Sequence, residues 1–245
     1  MRSFLIALQF LTTVPVRLKE AVADKDLAKS MAYFPLVGFL VGTALALFYN
    51  ILNLVFSDPI TCAFILILNA IITGGLHIDG FIDTFDGIAS GGDKSKILEI
   101  MREGRPGAIG IAAAILLFLA KYSLLVSLPK GTVEVSLIAM MTLGRWSLVA
   151  SSALFPYARE TEGLGRRFIQ SLSRKEGLIA TLFALSVMVF IFKFKVLILI
   201  PVIAVLLIGF NFYFYKKIGG ITGDTLGALN EIAEVLTLAL AVVLI

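Results

Sequence analysis

Apolar residues in this chain come in long unbroken blocks, over 31–56, 60–78, 108–128, 132–155, 177–192, 196–215 and 226–245. A helix needs about 20 such residues to cross the hydrocarbon of a bilayer, so the pattern predicts seven candidate spans. The fifth is short and the seventh carries two acids, which makes either of them a candidate for a span that is tilted, broken or partly outside the membrane. Residues 2–13 read differently. Phe4, Leu5, Leu8 and Leu11 fall on one side of an amphipathic helix that would lie in the interface or against the bundle. The expected fold is all-α: a polytopic integral membrane helix bundle of about six to seven transmembrane helices plus an N-terminal amphipathic helix, with 1–245 as one domain.

Composition strengthens this reading. The 245 residues are 59% hydrophobic and 16% charged, with a mean hydropathy of +0.98, whereas soluble domains are about half apolar and a quarter charged. The start, MRSFLIALQFLTTVPVR, lacks the small-residue cleavage site of a secretory signal. The one cysteine, Cys62, lies in an apolar run and excludes both an intramolecular disulfide and a cysteine metal cluster.

The net charge of +4 is spread by topology and does not point to nucleic acid. Most basic residues fall in the N-terminal segment (Arg2, Arg17, Lys19, Lys25, Lys29), the loop after the second span, the loop after the fourth, and the pair Lys216–Lys217. The opposite connections hold only Lys130, Lys193 and Lys195. By the positive-inside rule the long loops and the N-terminus are cytoplasmic, and chemistry is expected on that face; the expected location is the plasma (inner) membrane.

The segment GGLHIDGFIDTFDG stands out against this background. Asp79, Asp83 and Asp86 follow an apolar run, and at about 100° per residue they fall within an arc of roughly 60° on one helical face. No Lys or Arg interrupts them, so a hard divalent cation such as Mg²⁺, carrying a phosphorylated substrate, is the physical expectation; the alternative is a solvated helix end. A second acidic set, Asp224, Glu231 and Glu234, occurs in GGITGDTLGALNEIAEV, with Asp224 predicted to cap the last helix. Ionisable groups inside an apolar helix cost about 2.5–3.5 kcal/mol each, which makes Glu231 and Glu234 functional candidates. The alternative for these two is ion pairing to Arg145 or another buried cation. Taken together, the six acids are candidate metal ligands, and Asp79, Asp83 and Asp86 are candidate catalytic residues.

A phosphorylated substrate also needs cations. Arg102 and Arg105, in EIMREGRPGAIG, can grip phosphate through paired hydrogen bonds. Gly104, Gly107 and Gly110 around Pro106 allow a turn with amides exposed to an anion. Arg145 in TLGRW and Arg159 in FPYARETEGLG are further substrate-phosphate candidates, or membrane anchors. His77, the only histidine, is a candidate general base or substrate partner, with a structural role as the alternative. The YFPLVGFLVG stretch, with Pro35, Gly38 and Gly42, reads as helix packing through small residues.

GGLHIDGFIDTFDG, EIMREGRPGAIG, PYARETEGLG, GGITGDTLGALNEIAE and the N-terminal ALQFLTTVPV and YFPLVGFLVG together resemble the cobalamin synthase family, over nearly the whole chain. The chain departs from that pattern at Glu103, Pro106 and Thr161. The resemblance implies a Mg²⁺-dependent membrane enzyme of vitamin B12 assembly. It would join adenosylcobinamide-GDP to α-ribazole, or its 5′-phosphate, with release of GMP. The implied partners are those substrates and the lipid bilayer, with no nucleic acid; a second copy of the chain or other corrinoid-assembly enzymes stay open. The resemblance also places the two acidic motifs at Asp79, Asp83 and Asp86 and at Asp224, Glu231 and Glu234.

Three competing readings are worth stating. CDP-alcohol phosphotransferases also use clustered aspartates at a membrane face, but no Ala-Arg follows Asp79–Gly80 as their pattern needs. Quinone-type prenyltransferases carry two aspartate motifs, generally with D-x-x-D spacing. A cation transporter would line its path with carboxylates, yet here the acids gather near one face.

Overall fold

The computed structural model describes residues 1–18, 21–159 and 163–245, apart from the Leu164 side chain. Lys19, and Glu160–Glu162 with the Thr161 departure, lie outside the described residues. Within that range the elements are helices: α1 (Arg2–Leu11), α2 (Asp24–Ser30), α3 (Phe34–Leu52), α4 (Asp58–Thr73), α5 (Leu76–Ala89), α6 (Lys94–Glu103), α7 (Ala108–Ser127), α8 (Val133–Leu154), α9 (Leu164–Gln170), α10 (Arg174–Phe192), α11 (Val196–Ile218) and α12 (Gly223–Leu244). Five stretches are long and apolar enough to cross a membrane, Asp24–Leu52, Ala108–Ser127, Val133–Leu154, Arg174–Ile218 and Gly223–Leu244, or six if the bent pair α4–α5 is one span.

The fifth and sixth expected spans, 177–192 and 196–215, are α10 and α11, separated as expected at Lys193–Lys195, a 3₁₀ turn in which Lys193 takes a φ of 52°. The two helices double back along α8: Trp146 donates to Thr181 of α10 at 3.0 Å, and Asn211 of α11 donates to Ser151 at 2.7 Å. The second expected span, 60–78, ends early at Thr73. Gly74 and Gly75 both take left-handed backbone (φ 62° and 69°), which only glycine adopts without strain, and α5 leaves at 92° to α4. Thr13 caps this break, its amide reaching the Ile72 carbonyl at 2.7 Å and its hydroxyl the Ile71 carbonyl at 3.2 Å. A carbonyl freed inside a membrane domain needs such a partner.

The centre of the bundle is α8, buried along most of its length. Its approach to α3 depends on the small residues anticipated in YFPLVGFLVG: a Cβ on Gly42 would stand 2.7 Å from the Ile138 Cα, and one on Gly38 would collide with the Met141 carbonyl. Outward positions of α10 and α11 stay apolar, with Leu178, Phe190, Leu197 and Val205 exposed. An uncovered surface of this kind suits lipid, because water would penalise it. Helix α1 is present, but it buries Ile6, Ala7 and Leu11 against the bundle, so only part of the expected Phe4–Leu5–Leu8–Leu11 face is the packed one.

The bundle has two distinct ends. At one, Tyr49 donates to Asp58 at 2.9 Å and Lys195 donates to the Leu244 carbonyl. At the other lie α5, α6, α9 and the N-terminus of α12, which carry the acids and arginines singled out above.

Candidate active site

Local sequence explains how α5 and α12 meet. Thr222, not Asp224, caps α12: its hydroxyl accepts from the Thr225 amide and the Thr225 hydroxyl accepts from the Thr222 amide. Asp224 thus sits inside the first turn, where a carboxylate is favoured by the helix dipole. Gly80 and Gly227 let the two helices touch; a Cβ on Gly80 would be 3.0 Å from the Asp224 Cα, and one on Gly227 3.1 Å from the His77 carbonyl. That crossing sets Asp79 and Asp83 beside Asp224.

The three α5 aspartates then diverge in what they do. Asp86 is already engaged, accepting from the Gly107 amide at 2.7 Å and the Gly110 amide at 2.8 Å. The glycine turn expected to hold a substrate anion therefore holds the protein's own carboxylate at the start of α7. Asp83 is 7% exposed and Asp79 is open to solvent. Neither carboxylate has a hydrogen-bond partner among the described residues, and Asp83 lies within electrostatic reach of Asp79, Asp224 and Asp86, with Arg159 as the opposing charge.

Arg159 arrives by backbone pairing. Ala158 donates to the Ile221 carbonyl at 2.8 Å and Ile221 to the Pro156 carbonyl at 2.9 Å, a short parallel bridge that lays PYAR along GGIT. The Arg159 guanidinium then donates to Asp224 at 2.7 Å. Arg159 and Arg102 line one cleft of about 600 Å³ between α6 and residues 158–159, with Lys94 and Glu99. Arg105 is exposed on the turn after α6 and does not line that cleft.

Arg145, Glu231 and Glu234 turn away from this group and form a buried cluster. Glu234 accepts from both Lys121 and Arg145, Glu231 accepts from Lys121, and Asn230 donates to Glu234 at 2.9 Å. Lys121 and Arg145 are 2% and 1% exposed. The ion-pairing alternative thus describes the two glutamates: Lys121 serves both, and Arg145, expected as a substrate-phosphate ligand, is instead engaged by Glu234. The reason is electrostatic: a carboxylate in an apolar span takes the nearest cation on a facing helix. Lys121 was absent from the candidate residues, although a lone lysine inside the apolar run 108–128 signals a buried acid partner. Among the described residues, no three His, Cys, Asp or Glu side chains are grouped as they would be to hold a metal by themselves.

His77 is 4% exposed and its Nδ1 has no partner among the described residues. It lines a second cavity with Asp79 and Asp224, separate from the arginine cleft.

A helical bundle with an apolar girdle and an acid–arginine site at one end defines a polytopic membrane protein whose site suits a phosphorylated substrate. Comparison with known proteins narrows the class: residues 3–242 match the model of the cobalamin-5-phosphate synthase family, and the chain belongs to that family. Relatives named adenosylcobinamide-GDP ribazoletransferase include one from Thermoanaerobacter sp. (strain X514), 36% identical over 97% of this chain and 95% of the relative. Another, from Fusobacterium nucleatum, is 38% identical over 100% of this chain and 98% of its own length. A third, from Clostridium novyi, is 32% identical over 96% and 94%. No solved structure matches the chain.

Proposed function

We propose that this protein transfers the cobinamide-phosphate group of adenosylcobinamide-GDP to α-ribazole or its 5′-phosphate, releasing GMP. The observation that carries this reading is the pair of unpartnered acids, Asp79 and Asp83, set against the Arg159–Asp224 ion pair between two cavities. Arg102 and Arg159 would bind the diphosphate and oppose the negative charge that grows on the departing GMP. A ribose hydroxyl of the acceptor attacks the phosphorus bonded to the cobinamide arm; the new P–O bond forms as the bond to GMP breaks. One carboxylate of the site, or His77, would take the hydroxyl proton.

The donor set fits Mg²⁺. A carboxylate 7% exposed with no hydrogen-bond partner, crowded by other acids, is stabilised by a cation. Mg²⁺ usually takes one or two protein carboxylates and completes its shell with water and phosphate oxygens. Asp83 and Asp79 would hold it, with Asp224 beside them already taken by Arg159, so that a set smaller than three is no obstacle. When bound there, the ion supplies charge neutralisation on the diphosphate. Asp86, Glu231 and Glu234 are left out of this set because each already has its partners. The clustering of basic residues at the same end supports an active site facing the cytoplasm from the plasma membrane.

The test is direct. Purified protein with Mg²⁺, adenosylcobinamide-GDP and α-ribazole should yield GMP and adenosylcobalamin in equal amounts. Release of CMP from a CDP-alcohol, pyrophosphate from a prenyl donor, or ion flux in liposomes without nucleotide would each point to a competing class; no GMP in the presence of both substrates would sink the proposal.

A further inference from the structure

The cavity beside His77 has a chemistry unlike the arginine cleft. It measures about 190 Å³, and its walls come from α1, α3, α5, α8, α9 and α12. Phe10, Phe34 and Phe168 form one aromatic cluster in its wall, with ring centroids 4.6 to 5.8 Å apart. Leu148 adds further apolar surface. Apart from Asp79 and Asp224 at one end, two polar side chains interrupt this lining, His77 and Ser152, which are 4% and 6% exposed; among the described residues His77 Nδ1 and Ser152 Oγ lack hydrogen-bond partners. Buried polar atoms left unpaired in an otherwise apolar wall are rare and call for a ligand or a local explanation. The same cavity ends at Asp79 and Asp224, the acids of the proposed transfer site.

Size and chemistry select the occupant. An apolar cavity of about 150 Å³ is enough to take a benzene ring, so this one has room for a fused two-ring aromatic. Aromatic walls favour an aromatic guest through offset or edge contacts. The paired polar side chains suit a guest with one ring nitrogen that accepts a hydrogen bond. Neither a diphosphate nor a guanine base, rich in polar edges, matches such walls, whereas the apolar benzimidazole base of α-ribazole does.

We infer that this cavity is the acceptor subsite, in which the benzimidazole base lies among Phe10, Phe34 and Phe168 with its free ring nitrogen toward Ser152 and His77. The inference rests on the reaction proposed above and adds the division of substrates: acceptor base on the His77 side, donor diphosphate on the Arg102–Arg159 side. The two meet at Asp79 and Asp224. The acceptor ribose, attached to the base, would then emerge beside the acids, where its hydroxyl is needed.

The experiment uses the full chain in detergent and 5,6-dimethylbenzimidazole, the base alone, as probe. Equilibrium dialysis should show saturable binding to the wild type, and Ser152→Leu, which fills the cavity, should weaken it about tenfold or more. In the transferase assay the base should compete with α-ribazole and not with adenosylcobinamide-GDP. Ser152→Leu should raise the KM for α-ribazole by a similar factor while that for the donor stays within about twofold. If Ser152→Leu does not fold, Leu148→Phe serves as the second filling variant. Equal binding of the base by wild type and filled variants, or no binding by wild type, overturns the inference even where GMP release is intact. Binding that is lost on filling, in a protein that releases no GMP, would keep the subsite and reject the reaction.

Discussion

Arg159 donates to Asp224 across 2.7 Å, and this ion pair stands between two cavities, Arg159 lining the polar cleft and Asp224 the aromatic one. The pair is held from both sides: Arg159 follows the Pro156–Ala158 bridge to Ile221, and Asp224 lies in a turn capped by Thr222. Geometry fixed in this way places a cation next to acids without a large reorganisation when substrate arrives.

Removing that cation should therefore affect the chemical step more than the fold. Arg159→Ala is expected to lower kcat by about 10²-fold, the order seen when a preorganised charge-stabilising donor is lost. Arg159→Lys keeps the charge and loses the planar fork, so it should recover only part of the rate. Initial-rate measurement of GMP release checks both. Wild-type kcat in Arg159→Ala would remove this arginine from the site.

Asp83 makes a sharper case because it is buried and has no partner among the described residues. Asp83→Asn keeps the shape and removes the charge, and should abolish GMP release while leaving the detergent-solubilised protein monodisperse. Titration with Mg²⁺ should show stabilisation against heat in wild type and little in Asp83→Asn, since a ligand of the folded state stabilises it by mass action. Equal thermal shifts in the two proteins would place the metal elsewhere.

How much of this was legible in the sequence varies with the range of the interaction. Composition and long apolar blocks predicted the helical membrane bundle, and helical spacing predicted that Asp79 and Asp83 lie on one helix together. Partner choice was readable only in part: Arg145 stood among the possible partners of Glu234, the rest did not. Asp86 shares the helical spacing of Asp79 and Asp83, but it finds two amides at Gly107 and Gly110, twenty-one and twenty-four residues away. Glu231 and Glu234 look like a continuation of the Asp224 set, yet the cation that takes them, Lys121, lies 110 and 113 residues earlier. The break at Gly74–Gly75 was hidden for another reason: hydropathy is blind to φ, and an apolar run reads the same whether or not it turns by 92°.

The engagement of Asp86 predicts a structural phenotype distinct from that of Asp83. Hydrogen bonds to a charged group contribute about 1.5–3 kcal/mol, so Asp86→Ala should lower the melting temperature and loosen the start of α7. Asp86→Asn keeps one acceptor oxygen and should fall between Asp86→Ala and wild type. Limited proteolysis across Arg102–Gly107 provides the readout: faster cleavage in Asp86→Ala than in wild type is expected, and equal rates would show that the carboxylate does not anchor this turn.

The buried cluster gives the final test, and its sign distinguishes structure from catalysis. Lys121 sits between Glu231 and Glu234, and both cations and both acids are almost wholly withdrawn from solvent. Deleting one partner strands an uncompensated charge, at a cost of about 3–5 kcal/mol. Lys121→Met alone should therefore express poorly or unfold at a much lower temperature. Adding Glu231→Gln removes the stranded acid while Arg145 still serves Glu234, so the double variant should regain most of the lost stability. If Glu231 were instead a ligand of the metal, the double variant would be stable but inactive and would lose its Mg²⁺-dependent thermal shift. Recovery of stability, GMP release and the Mg²⁺ shift together is the outcome expected of a cluster whose work is to hold α7, α8 and α12 in register beneath the site.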